Sequence, residues 1–156
     1  MPKVSEFREK REWTPFYDQL KSENDRACAI IGCTMIDNSL SNIIAGVMID
    51  DEKAVDGILS NLNMRRKIEL AYCLGVIGPK QRDDISNISS IRNFFAHHLH
   101  DVSFENNEIK LLCEKLKWYY ETWYPNGVEK SPRKYFEMAV AVLIQNLVIQ
   151  GISDES

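Results

Sequence analysis

The residues from Glu23 to Ile49 read ENDRACAIIGCTMIDNSLSNIIAGVMI, and their apolar positions repeat with a helical period. The main apolar positions are spaced by four, three, four, three and four residues, as Ala29, Cys33, Ile36, Leu40, Ile43 and Val47. This spacing places them on one face of a single long α-helix. Because Ile30, Ile44 and Met48 widen that face, we expect the helix to be central and to be contacted on more than one side.

Amphipathic stretches with short connections lie on the C-terminal side of this helix. They begin near residues 52, 63, 80, 105 and 131, and strand signals are scarce. In the stretch that begins at 63, the apolar side carries Met64, Ile68, Ala71 and Tyr72, and the other side carries Arg65, Arg66 and Lys67. Gly75 suits a left-handed cap at the end of one helix, and Ser131 followed by Pro132 is typical of a helix start. The sequence therefore predicts an all-α protein, a single-domain antiparallel helical bundle of about six to eight helices.

The length of 156 residues, with 44% hydrophobic and 27% charged residues, suits one domain with a sizeable core. We expect a charged N-terminal arm or short helix at residues 1–12, the bundle at 13–152 and a frayed tail at 153–156. No run of about 18 uninterrupted apolar residues exists, and the N-terminus lacks the apolar core of a signal peptide. The four cysteines form no Cys-x-x-Cys pair. Together these features predict a cytoplasmic protein with buried, reduced thiols and no contact with a membrane.

All three histidines fall within residues 97–100, just after Arg92 and Asn93. Arg92 and His97 are five positions apart, which separates them by about 140° around a helix. A site that uses both side chains therefore needs the helix to end or distort near His97, or a second subunit to complete it. Alternatively, Asn93 and His97 simply satisfy the polar groups of the helix end.

The string Arg92-Asn93-Phe94-Phe95-Ala96-His97 resembles the Arg-polar-spacer-His signature of HEPN domains. Many members of that superfamily are metal-independent endoribonucleases that work as dimers. The resemblance implies that His97 takes the proton from an RNA 2′-hydroxyl and that Arg92 holds the scissile phosphate. Asn93 would orient His97 or the phosphate.

Metal chemistry has little support in this histidine cluster. His97, His98 and His100 could contribute zinc ligands, but no second ligand cluster lies at a familiar spacing. We expect no metal and no cofactor.

The charge balance bears on nucleic-acid binding. Nineteen Lys and Arg residues against 23 Asp and Glu residues give a net charge of −4, whereas phosphate-neutralising proteins usually have basic surfaces. The run Arg65, Arg66 and Lys67 could contact phosphates, or it could be a solvated helix face. No helix-turn-helix spacing is evident, so we expect any contact with nucleic acid to be weak or indirect.

A dense aromatic cluster follows in the second half of the chain. Five aromatic side chains fall within seven residues and cannot all point inward from one helix, namely Trp118, Tyr119, Tyr120, Trp123 and Tyr124. They pack either against neighbouring helices or at a subunit or partner interface, where Trp and Tyr are over-represented. We expect a homodimer.

About two-thirds of the chain is similar to the mannitol operon repressor family of small bacterial helical proteins. The similarity begins with Arg66–Ile77, RKIELAYCLGVI, and continues through the helix that carries Arg92 and His97. It also includes Phe104 to Ile109 and the last helix, Tyr135 to Ile149. The resemblance implies a bacterial transcriptional regulator that acts through protein–protein contacts or indirect DNA contact, without catalysis. The alternatives are a HEPN-like endoribonuclease and direct operator binding through two basic clusters, residues 8–11 and 65–67.

Overall fold

The computed structural model describes residues 18–116 and 130–153, with side chains as far as residue 148. A helical turn at residues 18–21 precedes six helices, and the described ranges contain no strand. The helices are α1 Asp25–Gly46, α2 Glu52–Leu59, α3 Met64–Cys73, α4 Pro79–His97, α5 Asn107–Glu114 and α6 Pro132–Ser153. The predicted all-α class is confirmed.

Side-chain caps set the starts of the first three helices. Asn24, Asp51 and Asn63 each accept a hydrogen bond from the backbone N–H three residues later, at 2.9, 3.1 and 2.9 Å. Such caps satisfy N–H groups that have no partner inside the helix. Local chemistry therefore fixes where α1, α2 and α3 begin.

The predicted helix end at Gly75 and the predicted helix start at Pro132 are confirmed. Gly75 follows α3 with φ of +73°, the left-handed conformation that glycine adopts without strain. Pro132 is the first residue of α6, and the Ser131 Oγ accepts the Lys134 N–H at 3.2 Å.

Helix α1 lies at the centre of the described bundle and packs against α3, α4 and α6, as its wide apolar face predicted. Its buried residues are Cys28, Ala29, Gly32, Cys33, Ile36, Leu40, Ile43 and Ile44. The last member of the predicted stripe, Val47, is 44% exposed because the helix ends at Gly46. The predicted stripe is thus correct except at its C-terminal end.

Helix α1 is also long and apolar enough to cross a membrane by length and composition, with 22 residues and a mean hydropathy of 1.3. The central helix of a globular bundle meets the same criterion. Here the apolar face of α1 is covered by three other helices, which is the arrangement of such a core helix.

A row of three phenylalanine rings joins α4, the loop before α5, and α6. The Phe95 and Phe104 ring centres lie 5.1 Å apart, and those of Phe104 and Phe136 lie 5.3 Å apart, all in tilted geometry. All three rings are buried. Tilted aromatic pairs add to the stabilisation that comes from burial alone.

A buried ionic network ties α6 to the start of α1. The Arg133 guanidinium contacts Asp25 Oδ1 at 2.6 Å and Glu137 Oε1 at 2.8 Å, and Lys134 Nζ contacts Glu137 Oε2 at 3.1 Å. The Glu137 side chain is 1% exposed. Burial lowers the pKa of Arg133, yet hydrogen bonds to Glu137 and Asp25 outweigh it and raise the pKa above its ordinary value.

Several expectations from the sequence need correction. Tyr72, expected on the inner face of α3, is exposed, whereas Lys67, expected on the outer face, is buried. Cys73 is exposed, although Cys28, Cys33 and Cys113 are buried as expected. Burial raises the pKa of Cys28 and Cys113 to about 12. The N-terminal arm at 1–12, the aromatic cluster at 118–124 and residues 154–156 lie outside the described residues.

Asp84 is a charged residue placed inside the bundle on α4. Asp84 is 3% exposed, and its Oδ2 atom has no hydrogen-bond partner in the described part of the chain. Burial, aided by the nearby charge of Asp83, raises the pKa of Asp84 from 3.8 to about 7. The folded protein therefore holds the Asp84 proton over a pH range in which the unfolded chain releases it.

Replacing Gly32 tests the close approach of α1 and α6. A Cβ atom at Gly32 would lie 2.9 Å from Phe136 Cε1 and 3.3 Å from Val140 Cγ2. We expect Gly32→Ala to lower the free energy of unfolding by about 1 kcal/mol, because overpacking outweighs the gain in helix propensity. Gly57→Ala, with open space around the new methyl group, should stabilise by roughly 0.5 kcal/mol. Urea denaturation measures both, and equal effects of the two variants would contradict this packing.

The pH dependence of stability tests Asp84. Because its folded pKa of about 7 exceeds the ordinary 3.8, the free energy of unfolding should fall as the pH rises between these values. Asp84→Asn should remove that slope and stabilise the protein at about pH 8 by on the order of 2 kcal/mol. Asp83→Asn, at a side chain that is 68% exposed, is the control. An unchanged slope in Asp84→Asn, measured by urea denaturation across the range, would show that another group titrates.

Candidate functional site

The C-terminal end of α4 carries the histidine cluster. The His98 backbone N–H donates to the Phe94 carbonyl at 3.2 Å, and His98 Nδ1 lies 2.9 Å from the same oxygen. The His98 ring stacks on the Phe94 ring with centres 4.0 Å apart and an angle of 13°. These contacts hold the His98 ring against the end of α4. Because Nδ1 is engaged with the Phe94 carbonyl, Nε2 is the ring nitrogen left for other partners.

A side chain from α1 completes this helix end. Arg26 Nη2 donates to the His98 carbonyl at 2.5 Å, which satisfies a backbone acceptor that the end of a helix leaves open. Satisfaction of the helix end was predicted for Asn93 and His97. The structure shows this role in His98 and Arg26.

The three predicted catalytic residues lie on the last two turns of α4 in different surroundings. Arg92 is half-buried and close to Cys33 on α1, where burial raises the pKa of the thiol and the positive charge of Arg92 opposes that rise. Asn93 and His97 are exposed, Asn93 on the side of α4 that faces α3 and His97 at the end of the helix.

A surface groove lies between α3 and α4 and has a volume of about 440 Å³. We call it the α3–α4 groove, and its lining residues are Arg65, Ile68, Glu69, Arg82, Ser86, Ser89, Ser90 and Asn93. It brings together Arg65, predicted to contact nucleic acid, and Asn93, predicted to act in catalysis. No sequence argument had placed these two residues in one site.

The polar wall that α4 contributes to the groove was missed from the sequence, although a signal existed. Arg82, Ser86, Ser89 and Asn93 are spaced by four, three and four residues, the same helical period that identified the apolar faces. His97 follows four residues after Asn93 and continues the stripe to the helix end. A search for periodic polar residues would have found this wall.

Arg82 is held in place within the groove. Its guanidinium carbon lies 4.1 Å from the centre of the Tyr72 ring, and its Nε lies 3.5 Å from the exposed carboxylate of Asp83. Stacking on an aromatic face orients a guanidinium and leaves its N–H edge available to other groups.

The α3 wall of the groove carries mixed charge. Glu69 contacts Arg65 at 3.5 Å and Arg66 at 3.0 Å, so one carboxylate is shared by two arginines. The Arg65 side chain is 86% exposed. Exposed pairs of this kind contribute little to stability, which leaves the arginines able to exchange partners.

Lys67 does not share this outer surface with Arg65 and Arg66. Its ammonium group contacts Asp37 of α1 at 2.8 Å, and its side chain is 11% exposed. Residue 67 lies on the inner face of α3 with Met64, Ile68 and Ala71. The predicted basic cluster is therefore divided, and the Lys67 charge is already engaged by a carboxylate.

No family model matches this chain, and no curated protein matches it. Among solved structures, the chain is similar to one described as the X-ray structure of the MtlR-HPr complex from Escherichia coli. The TM-score is 0.63 at 14% sequence identity, over 86% of this chain and 97% of the other. At this identity the similarity shows the fold alone, which is MtlR-like.

Proposed function

We propose that this protein is a cytoplasmic bacterial transcriptional regulator of the mannitol operon repressor type that acts by binding another protein. The observation that carries the proposal is the MtlR-like fold, which extends over 86% of the chain. The resemblance of Arg66–Ile77 and the later helices pointed to the same family, but no family model matches the chain, so the fold alone carries the proposal.

The partner we propose is a protein related to HPr, since the similar structure is a complex of MtlR with HPr. The described surface has apolar side chains that suit a protein contact. Ile49, Leu99 and Leu111 are 77%, 75% and 59% exposed. Single exposed apolar side chains are ordinary on a protein surface, so these three are positions to substitute in a binding test.

A second copy of this chain is the other partner we propose. Trp118, Tyr119, Trp123 and Tyr124 remain the predicted interface for a homodimer. Light scattering on the purified protein would show whether it is a dimer.

Charge supports an indirect rather than a direct role at DNA. The net charge is −4, Lys67 is paired with Asp37, and Arg65 and Arg66 share Glu69. This cluster therefore offers phosphates less positive charge than three unpaired cations would, and the affinity for nucleic acid rises with the number of phosphates neutralised. Contact through Arg65 and Arg66 stays a weaker proposal.

The endoribonuclease alternative has less support. Asn93 and His97 are exposed and accessible, but Arg92 is directed to Cys33 on α1. Catalysis would need Arg92 to turn outward or a second subunit to supply its own arginine.

Calorimetric titration with HPr from the same organism tests the leading proposal. We expect saturable heat with one HPr per chain and a dissociation constant of roughly 1–100 µM, the range of transient regulatory contacts. A helical, folded protein that gives no saturable heat at these concentrations would contradict the proposed partner. An unrelated protein of equal net charge is the control for nonspecific attraction.

Incubation with RNA in EDTA distinguishes the endoribonuclease alternative from the non-catalytic regulator. We expect no cleavage by the unaltered protein, because Arg92 is half-buried near Cys33 on α1 whereas His97 is exposed at the helix end. If RNA is cleaved, and His97→Ala abolishes cleavage while circular dichroism is unchanged, the endoribonuclease is correct and the non-catalytic regulator is not. Ser90→Ala, on the same helix, controls for effects of any substitution in α4.

A further inference from the structure

We propose that the α3–α4 groove binds a small phosphate monoester on a hydroxylated carbon skeleton, of about the size of a hexose phosphate. The groove has a volume of about 440 Å³, and seven of its eight lining residues are polar or charged. A site of that volume suits one small ligand. The proposal rests on the groove alone and does not depend on the protein partner proposed above.

Two arginines on opposite walls supply the recognition of the phosphate. Arg65 belongs to α3 and Arg82 to α4, and both line the groove. Arg82 is already oriented by the Tyr72 ring at 4.1 Å, so little side-chain entropy is lost when its N–H edge meets a phosphate. Guanidinium groups bind phosphate oxygens through paired hydrogen bonds, which are stronger than those between neutral groups.

Neutral donors line the α4 wall between the arginine and the helix end. Ser90 Oγ donates to the Ser86 carbonyl at 3.1 Å, so its proton is used within the helix. The hydroxyl groups of Ser86 and Ser89 and the amide of Asn93 have no hydrogen-bond partner within the described ranges. Their hydrogen-bonding capacity is open to a ligand that carries several polar groups.

Glu69 indicates why the carbon skeleton carries hydroxyl groups. Its carboxylate lines the groove, accepts a hydrogen bond from Arg66 and forms an ion pair with Arg65. Carboxylates accept hydrogen bonds from hydroxyl groups but repel additional phosphates. A ligand with a single phosphate near Arg82 and hydroxyl groups near Glu69 and the serines would form hydrogen bonds with both walls of the groove.

The same charges disfavour a nucleic-acid strand in this groove. A strand requires a track of cations to follow its phosphates. Lys67, which would extend the track, faces α1 and pairs with Asp37 at 2.8 Å. With Glu69 inside the groove and a net charge of −4 for the chain, a single monoester fits better than a polyanion.

Calorimetry with glucose 6-phosphate, inorganic phosphate and glucose as separate probes tests the site. We expect glucose 6-phosphate to bind with a dissociation constant of about 1 mM or tighter, and the other two probes at least about tenfold more weakly. Absence of binding by glucose 6-phosphate at about 10 mM would overturn the proposal. Equal binding of inorganic phosphate would overturn the monoester as its ligand.

Variants locate the binding. Arg82→Gln should weaken binding of glucose 6-phosphate at least about tenfold, and Arg82→Lys should restore only part of it, because lysine lacks the paired donors. Ser89→Ala is a second, smaller change. It should weaken binding several-fold, because it removes about one hydrogen bond to the ligand. Lys53→Gln, which removes a positive charge from an exposed residue of α2 outside the groove, should change affinity less than about twofold.

The outcomes are distinguishable from loss of folding and from nucleic-acid binding. Thermal denaturation of each variant shows whether the helices are intact, and Ser89→Ala retains the test if Arg82→Gln unfolds. If binding is unchanged in both Arg82→Gln and Ser89→Ala, the ligand lies elsewhere and the proposal is wrong. An RNA oligonucleotide that binds and is not displaced by glucose 6-phosphate would assign the groove to nucleic acid instead.

Discussion

The contact between Arg133 and the start of α1 is the interaction on which the described structure depends. One guanidinium joins Asp25, Glu137 and the backbone carbonyls of Leu20 and Glu23, while Asp25 Oδ2 also accepts the Phe104 N–H at 3.1 Å. Loss of one partner from a buried ionic network leaves an uncompensated charge and costs about 3–5 kcal/mol. The network therefore fixes the relative positions of α1, α6 and the loop before α5.

The position of α1 in turn determines where the groove forms. Helices α3 and α4 both pack on α1 and on each other, and the pair between Lys67 and Asp37 holds α3 to α1 from within. The outer faces of α3 and α4 are left side by side. Because the groove consists of these outer faces, its width depends on contacts made on the opposite side of each helix, far from any ligand.

Local patterns predicted the helices well and the tertiary contacts poorly. The stripe of α1, its central position, the glycine cap at Gly75 and the start of α6 at Pro132 all follow from periodicity and capping chemistry. Lys67 was placed outside because a charge is normally solvated, yet its partner Asp37 lies thirty positions earlier on another helix. Tyr72 was placed inside, although Arg82 covers its outer face. Such pairs depend on which helices become neighbours. Periodicity along one helix carries no information about its neighbours.

The candidate site illustrates the same limit in a different way. The helical wheel separates Arg92 from His97 by about 140°, and in the structure Arg92 lies near Cys33 on α1. A helical wheel of α4 carries no information about α3, and Arg65 and Glu69 of α3 line the groove together with Asn93. A fold shared at 14% identity preserves the packing of helices and says little about the polar groups on their outer faces. Whether the groove binds a ligand therefore depends on this chain's own arginines and serines along α3 and α4, which the shared fold does not specify.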